Sequence, residues 1–347
     1  MNFFKKIIQT ITPEPTVALT AITRTETIEG FSVPGIILNM QYHFTDLQIY
    51  SDGLISCWEM VDLPMFKNKL MTSWVVTSIP DGQTISIFNL GSWVIENGDW
   101  TYDEESYYKH VKGLIKKLNP NLENLHNYNG DNCKMIGNVS VAKHFSDNPK
   151  PYYYDNPNSF LSKRNDGENF HIFYRNDDGK TYLAQLSIYK TGQVEITNLP
   201  IKKIFKFDDI KNLISSNQLT TEVNIGENIT ILGLGSFTIK SGQGVNISFK
   251  HNEFADKYSQ LNGNEDSISK CARIFAAYKL NPTIELKQQL KKAYEEVPEH
   301  RRMFVGDMDT KDYEVRQIIY GDIVKKEWQD HYGYDYPYDD MPNPIDE

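Results

Sequence analysis

Apolar and polar residues alternate along most of the chain up to about Ile239, and a helical period replaces that alternation from Asp266 onward. Residues 47–57, LQIYSDGLISC, and 186–196, LSIYKTGQVEI, each read as alternation broken by a turn, which predicts two β-hairpins. Asp52-Gly53 and Thr191-Gly192 supply the turns, with glycine where positive φ is needed. Alternation over 84–88 and 93–95 predicts strands with one buried face.

The two hairpins are copies of one another. Leu47/Leu186, Ile49/Ile188, Tyr50/Tyr189 and Gly53/Gly192 match at a constant offset. After a small insertion in the second copy near Asn198 to Lys202, Phe66-Lys67-Asn68 faces Ile210-Lys211-Asn212, and 81–95 matches 225–239. A unit of hairpin, short helix, strand, turn and strand has therefore been duplicated. The shared Gly91-Ser92 and Gly235-Ser236 read as a tight turn or bulge, ahead of a ligand-facing bend. Gly233-Leu-Gly235 lacks the third glycine and strand-to-helix setting of a dinucleotide fingerprint.

Helical period appears in three further places. Asp103-Glu104-Glu105 opens a helix with Tyr107, Val111, Leu114, Ile115 and Leu118 on one stripe, closed by Lys116 and Lys117 before Asn119-Pro120. Ile268, Cys271, Ala272 and Phe275 form a second stripe; Asn281-Pro282 starts a third helix, ended by Pro298, and Tyr313 to Tyr320 a shorter one. At the N-terminus, Phe3, Phe4, Ile7, Ile8 and Ile11 share one face of a short helix that Pro13 and Pro15 end. Lys5 and Lys6 interrupt any signal-peptide core, so this helix is expected to dock on the protein or a partner, with peripheral membrane contact the lesser reading. No segment reads as a transmembrane span.

The expected fold class is α+β: two repeated β-rich modules with short helices, then a small α-helical module and an acidic aromatic tail. The expected divisions are an N-terminal helix over 1–15, a first module over 16–145, a linker over 146–169, the diverged copy over 170–265, the helical module over 266–321 and the tail over 322–347. The linker is rich in Pro, Asn, Asp and Gly, and its Tyr152-Tyr153-Tyr154 cluster is expected to pack across the boundary.

Composition narrows the function classes. With 39% hydrophobic and 24% charged residues the chain is no disordered polymer, and a formal charge of −10 argues against a nucleic-acid binder. Its three cysteines, Cys57, Cys133 and Cys271, form no CxxC pair, which points to a reducing, cytoplasmic setting. Residues 322–347 hold eight acids against two bases, a net of −6. Interleaved aromatics make this an extended segment suited to a basic groove, with Trp328, Tyr332, Tyr334, Asp335, Tyr336, Tyr338, Asp339 and Asp340 as the expected partner-binding residues.

Catalytic signatures are missing. There is no GxxxxGK[ST], GxSxG or HExxH, and the eight histidines are scattered. Asp307, Asp309, Asp312 and Glu314 lack the EF-hand pattern and read as capping residues, and Glu285 with Lys287 reads as a surface ion pair. No catalytic, cofactor-binding or metal-ligating residue is assigned, and no cofactor is expected. Tyr50-Ser-Asp-Gly-Leu-Ile-Ser-Cys-Trp58, Trp74-Val-Val-Thr-Ser-Ile-Pro-Asp-Gly82 and Asn89-Leu-Gly-Ser-Trp93 together resemble an uncharacterised bacterial domain family of unknown function, over roughly residues 40–118. The expected function is a non-enzymatic bacterial adaptor, of immunity or inhibitor type, that binds a basic protein partner through the tail. Two alternatives stand beside it: a hydrolase or nuclease-like effector using groups such as His171, Asp178 or Glu195 between the modules, and a small-ligand or sugar platform of Trp58, Trp74 and Trp93.

Overall fold

A computed structural model describes residues 28–123, 125–126, 133–136, 139–142, 165–306 and 311–335. The expected N-terminal helix, the tyrosine cluster at 152–154, Asp307, Asp309 and residues 336–347 lie outside the described residues.

Strands β1 (Gly30–Asn39) and β2 (Gln41–Tyr50) pair without a register break from Gly30↔Tyr50 to Asn39↔Gln41. The short strands β3 (Ile55–Ser56) and β4 (Met60–Val61) fold back on the end of β2. Next comes α1 (Leu63–Met71), which starts where Asp62 Oδ1 accepts the Met65 N–H at 2.8 Å and Pro64 needs no amide partner. Strand β5 (Val75–Val76) pairs with β1, β6 (Thr84–Ile87) runs parallel to β2, and β7 (Gly91–Trp100) closes the unit antiparallel to β6. The expected helix is α2 (Glu104–Leu118), opened by a capping box between Asp103 and Ser106 and burying all five predicted stripe residues. A separate two-stranded sheet, β8 (Cys133–Ile136) with β9 (Val139–Ala142), follows.

The second copy repeats this order. It comprises β10 (Gly167–Arg175), β11 (Thr181–Tyr189), β12 (Gln193–Thr197), β13 (Lys203–Lys206), α3 (Ile210–Ser215), β14 (Leu219–Thr220), β15 (Asn228–Ile231), β16 (Gly235–Gly244) and α4 (Ile247–Leu261). Again the second strand of the hairpin has a parallel neighbour, β11 with β15, and β16 closes the unit. Both predicted hairpin turns form, with Gly53 at φ 85° and Gly192 at φ 82°.

One 14-stranded sheet joins the copies through β16 against β7, and one hydrophobic core runs through both. The junction has an approximate two-fold pattern. Trp93 lies opposite Gly242, and the equivalent Phe237 lies opposite Gly98; Gly235 faces Trp100, and Gly91 faces Gly244. At each of these crossings a glycine of one copy is a backbone partner of the other copy, in a pattern like that of an isologous dimer interface. The shared Gly91 and Gly235, at φ 150° and 152°, begin β7 and β16. A Cβ on either would come within 2.4 Å of a carbonyl oxygen of the opposite strand, so glycine serves the meeting of two backbones there rather than a ligand.

The helical unit has its own core. Helices α5 (Ser267–Leu280), α6 (Ile284–Glu296) and α7 (Tyr313–Tyr320) surround Cys271, Tyr278, Leu290, Tyr294, Val297 and Val315, and α8 (Asp322–Tyr332) packs on α7. It docks on α4 through buried polar groups: Asp256 accepts the Ser267 N–H at 2.9 Å, and Arg301 reaches Asp256 at 3.6 Å and Asp266 at 3.4 Å. Among the described residues no helix is long and apolar enough to cross a membrane.

Two local expectations change. Residues 322–332, expected to be extended, are helical, because Val324 and Trp328 one turn apart bury against α7 and offset the acidity of the segment. The end of the expected linker, from Gly167, is already strand β10.

Candidate functional site

The end of α8 gathers the described part of the expected partner-binding set. Trp328 is only 7% exposed; its ring meets Tyr313 edge-on at 4.7 Å, Tyr332 at 4.3 Å and Tyr334 at 6.1 Å. The spacing of 328 and 332 puts those rings one helical turn apart. Gly333, left-handed at φ 76°, then ends the helix and turns the chain so that Tyr334 returns to the indole. Tyr332 and Tyr334 remain 45% and 54% exposed, while Trp328 forms the base they rest on. Asp335 follows, its carboxylate accepting from Gln329 Nε2 at 3.3 Å.

Below this knuckle Arg316 pairs with Glu327 and lies 5.6 Å from the centre of the Tyr313 ring. Burial alone would lower the Arg316 pKa, but Glu327 outweighs it and the guanidinium is held above its ordinary value. Burial pushes the Tyr313 phenol upward as well. The arrangement has no nucleophile–base geometry; it offers two ordered phenol rings beside carboxylates. Trp328 is packed as a base rather than presented, and Tyr336, Tyr338, Asp339 and Asp340 lie outside the described residues.

The groups named for a hydrolase do not converge. His171 Nε2 lies 2.8 Å from Asp46 Oδ2, a contact from β10 of one copy to β2 of the other, while Asp46 Oδ1 is buried with no hydrogen-bond partner among the described residues. Asp178 instead accepts the Lys180 N–H and the Tyr182 hydroxyl, both at 3.0 Å, and the first of these chiefly holds it below the usual carboxylate range. Glu195 accepts from Lys202 at 3.1 Å and from Gln193 at 2.8 Å. Each carboxylate is committed to its own hairpin. Asp312, expected to cap α7, makes no side-chain cap; it accepts the Tyr294 hydroxyl at 2.5 Å, and Glu314 lies 3.8 Å from Lys279. Among the described residues there is no group of three or more His, Cys, Asp or Glu placed to hold a metal ion.

The three tryptophans split. Trp93 is buried, edge-on to Phe173 at 5.0 Å. Trp58 and Trp74 meet at 6.3 Å at the surface, with His43 5.0 Å from Trp58.

A polar cleft of about 970 Å³, with no counterpart among the sequence motifs, opens where the β10–β11 turn meets β15 and the end of β7. Its floor is organised by Glu227, which accepts from Thr181 Oγ1 at 2.6 Å and the Asn224 N–H at 2.8 Å and pairs with Arg175 at 3.3 Å. Burial would raise the Glu227 pKa, but these three donors outweigh it and hold the carboxyl below its ordinary value. With its charges paired inside the protein, the floor braces the loop.

Comparison with known proteins returned no similar curated protein and no similar solved structure. Two family models match. The C-terminal one, described as a domain of unknown function (DUF7639), spans residues 266–331. The other, also described as a domain of unknown function (DUF7638), spans residues 19–122 and 156–265, so it takes in both copies of the repeat and extends the resemblance seen around residues 40–118. With well over half of its length matched by that second model, the chain belongs to the DUF7638 family.

Proposed function

We propose that this chain is a non-enzymatic interaction protein that engages a protein partner through the aromatic end of α8. The observation that carries the reading is the pair of half-exposed rings packed on the buried Trp328, Tyr332 tilted against it and Tyr334 edge-on. Rings held in place before contact lose little conformational freedom on binding, and tyrosine supplies wide contact area with a polar tip. Asp330 and Asp335 flank them, and the segment 322–347 carries a net of −6, which suits a partner with a basic surface. Neutralisation of a basic toxin by an immunity-type adaptor is the specific form of this reading. Its setting is cytoplasmic, in keeping with the free buried thiols of Cys57 and Cys271. The hydrolase alternative has less support, since His171, Asp178 and Glu195 each have separate partners.

The test compares the full chain with its Tyr332→Ala/Tyr334→Ala form, both expressed in the native host and checked for equal helix content by circular dichroism. A basic protein recovered stoichiometrically with the first and lost with the second is the expected result. Equal recovery from both, or no partner from either, overturns the reading.

A further inference from the structure

We infer that the polar cleft beside the junction of the two copies binds a neutral, hydroxyl-rich small molecule of the saccharide class. The inference draws on no residue of the α8 end and on none of the three candidate platform tryptophans. It starts from strand register. Thr230 on β15 lies directly opposite Ser236 on β16, and Ser236 lies opposite Asp99 on β7. Directly opposed residues share one face of a sheet and hold their side chains within reach of one another. Their alternating neighbours Ile229, Ile231 and Phe237 are buried in the core, so the row of Thr230, Ser236 and Asp99 faces the other way, into the cleft. Asn228, two residues before Thr230, and Thr101, two after Asp99, line the cleft as well. None of these five side chains has a hydrogen-bond partner among the described residues.

The lining chemistry selects the ligand class. Arg175 is fully engaged: Nε and Nη2 each reach Glu227 at 3.3 Å, Nη2 also donates to the Glu222 carbonyl at 3.2 Å, and Nη1 donates to the Asn217 carbonyl at 3.4 Å. Lys180 stands on the exposed rim in the field of Asp178. The lining acids Asp99 and Glu227 balance Arg175 and Lys180, so a phosphate or carboxylate meets no converging pair of free cations. An apolar ligand meets no apolar wall, since Ile225 is the one large hydrophobic residue of the lining. What the cleft presents is hydroxyls and a carboxamide, which donate and accept, beside a carboxylate, which accepts; a ligand made of hydroxyls answers all of them. Ile225, 78% exposed on the turn before β15, offers an apolar edge to the C–H face of a sugar ring.

The duplication provides a comparison within the chain. The matching row beside the first copy is Ser86, Ser92 and Gln243, which has no carboxylate. Ile225 stands where the first copy has Asp81, and the brace of Arg175, Thr181 and Glu227 stands where it has Leu38, Tyr42 and Gln83. A row needed only to join the copies would be alike on both sides of the approximate two-fold. The acid, the apolar edge and the braced wall occur together on one side alone.

The experiment applies saturation-transfer NMR to the full chain with neutral hexoses, N-acetylhexosamines and their disaccharides, and with hexose phosphates and free amino acids in parallel. The expected result is transfer to at least one neutral sugar, with titration in the millimolar range. Asp99→Ala and Thr230→Val should each weaken that binding about tenfold while the sugar-free thermal midpoint stays where it was. Ser86→Ala, the matching change in the first copy, should leave the affinity unaltered. Asp99 is exposed, so its variant reads the site even where Thr230→Val disturbs the sheet. Transfer to no neutral sugar overturns the inference, as do tighter binding of phosphates or amino acids, equal weakening by Ser86→Ala, and an affinity that Asp99→Ala leaves unchanged.

Discussion

Gly242 and Gly98 occupy equivalent places in the two copies, each opposite the other copy's aromatic residue, but adding a methyl group should cost very different amounts at the two sites. A Cβ on Gly242 would lie 2.4 Å from the Ser92 carbonyl oxygen and 2.5 Å from Trp93 Cδ1, with φ at 148°. The obstacle is a backbone atom together with a ring that is 1% exposed and wedged on Phe173, so neither gives way. Forcing a non-glycine residue into that backbone region costs about 1–3 kcal/mol, and overpacking about 1–3 kcal/mol more. Gly242→Ala should therefore destabilise by about 4 kcal/mol. At Gly98 a Cβ would meet only the Trp100 indole, nearest at Nε1, 2.5 Å away. That ring, stacked on Phe237 with Nε1 buried, yields only in part, but no positive φ adds to the cost and alanine restricts the unfolded chain, so Gly98→Ala should cost about 1–2 kcal/mol. Urea unfolding followed by tryptophan fluorescence measures both. Equal losses, or a larger loss at Gly98, would refute the reading that the junction is limited by backbone contact on one side and by a partly movable ring on the other.

Other outcomes follow from buried charge. The carboxyl of Glu227, held below its ordinary value of 4.5, contributes stability that is present above that value and lost as pH falls through its folded pKa. Glu227→Gln should cost about 2 kcal/mol at pH 7 and the difference should fade in acid; a gap that stays constant down to pH 3 would contradict this. Lys250 is 2% exposed, pairs with Glu253 at 2.8 Å and donates to the Asn89 carbonyl at 3.0 Å, and burial lowers its pKa. Glu253→Met should cost about 3–5 kcal/mol, and adding Lys250→Met should restore more than half, because the lone buried ammonium is then gone. A double variant worse than the single in thermal unfolding would count against this.

The duplication, the hairpins and the helices over 104–118, 267–280 and 313–320 were legible because their apolar spacing is regular, and the first two helices also because an aspartate caps each of them. Helix α4 was not, although it is the counterpart of α2, because its buried face includes Lys250, Glu253 and Asp256 and reads as polar. A charge paired across space leaves no trace in local periodicity. Strands β1 and β10 carry apolar residues on both faces near the core, so alternation is blurred there. At α8, the spacing of Val324, Trp328 and Tyr332 was the available signal, but prolines at 337, 342 and 344 and the acid content outweighed it. Trp58 and Trp74 were visible as two of three candidate platform residues among five tryptophans, but the strain at Trp58, at φ 70°, was not. What sets it apart is a backbone angle, which composition cannot reveal.

The meeting of β7 with β16 also sets an order of events during synthesis. Roughly 140 residues separate the two strands, so at about 5–20 residues per second the ribosome leaves β7 without its partner for some 7–30 s. Over that interval the first module has a long open sheet edge in a crowded cell, a known route to misassembly. Glu96 and Asp99 on β7, together with Gly98, make that waiting edge charged and poorly suited to pairing with other chains. The glycine that later lies opposite Phe237 thus first serves to keep other strands out.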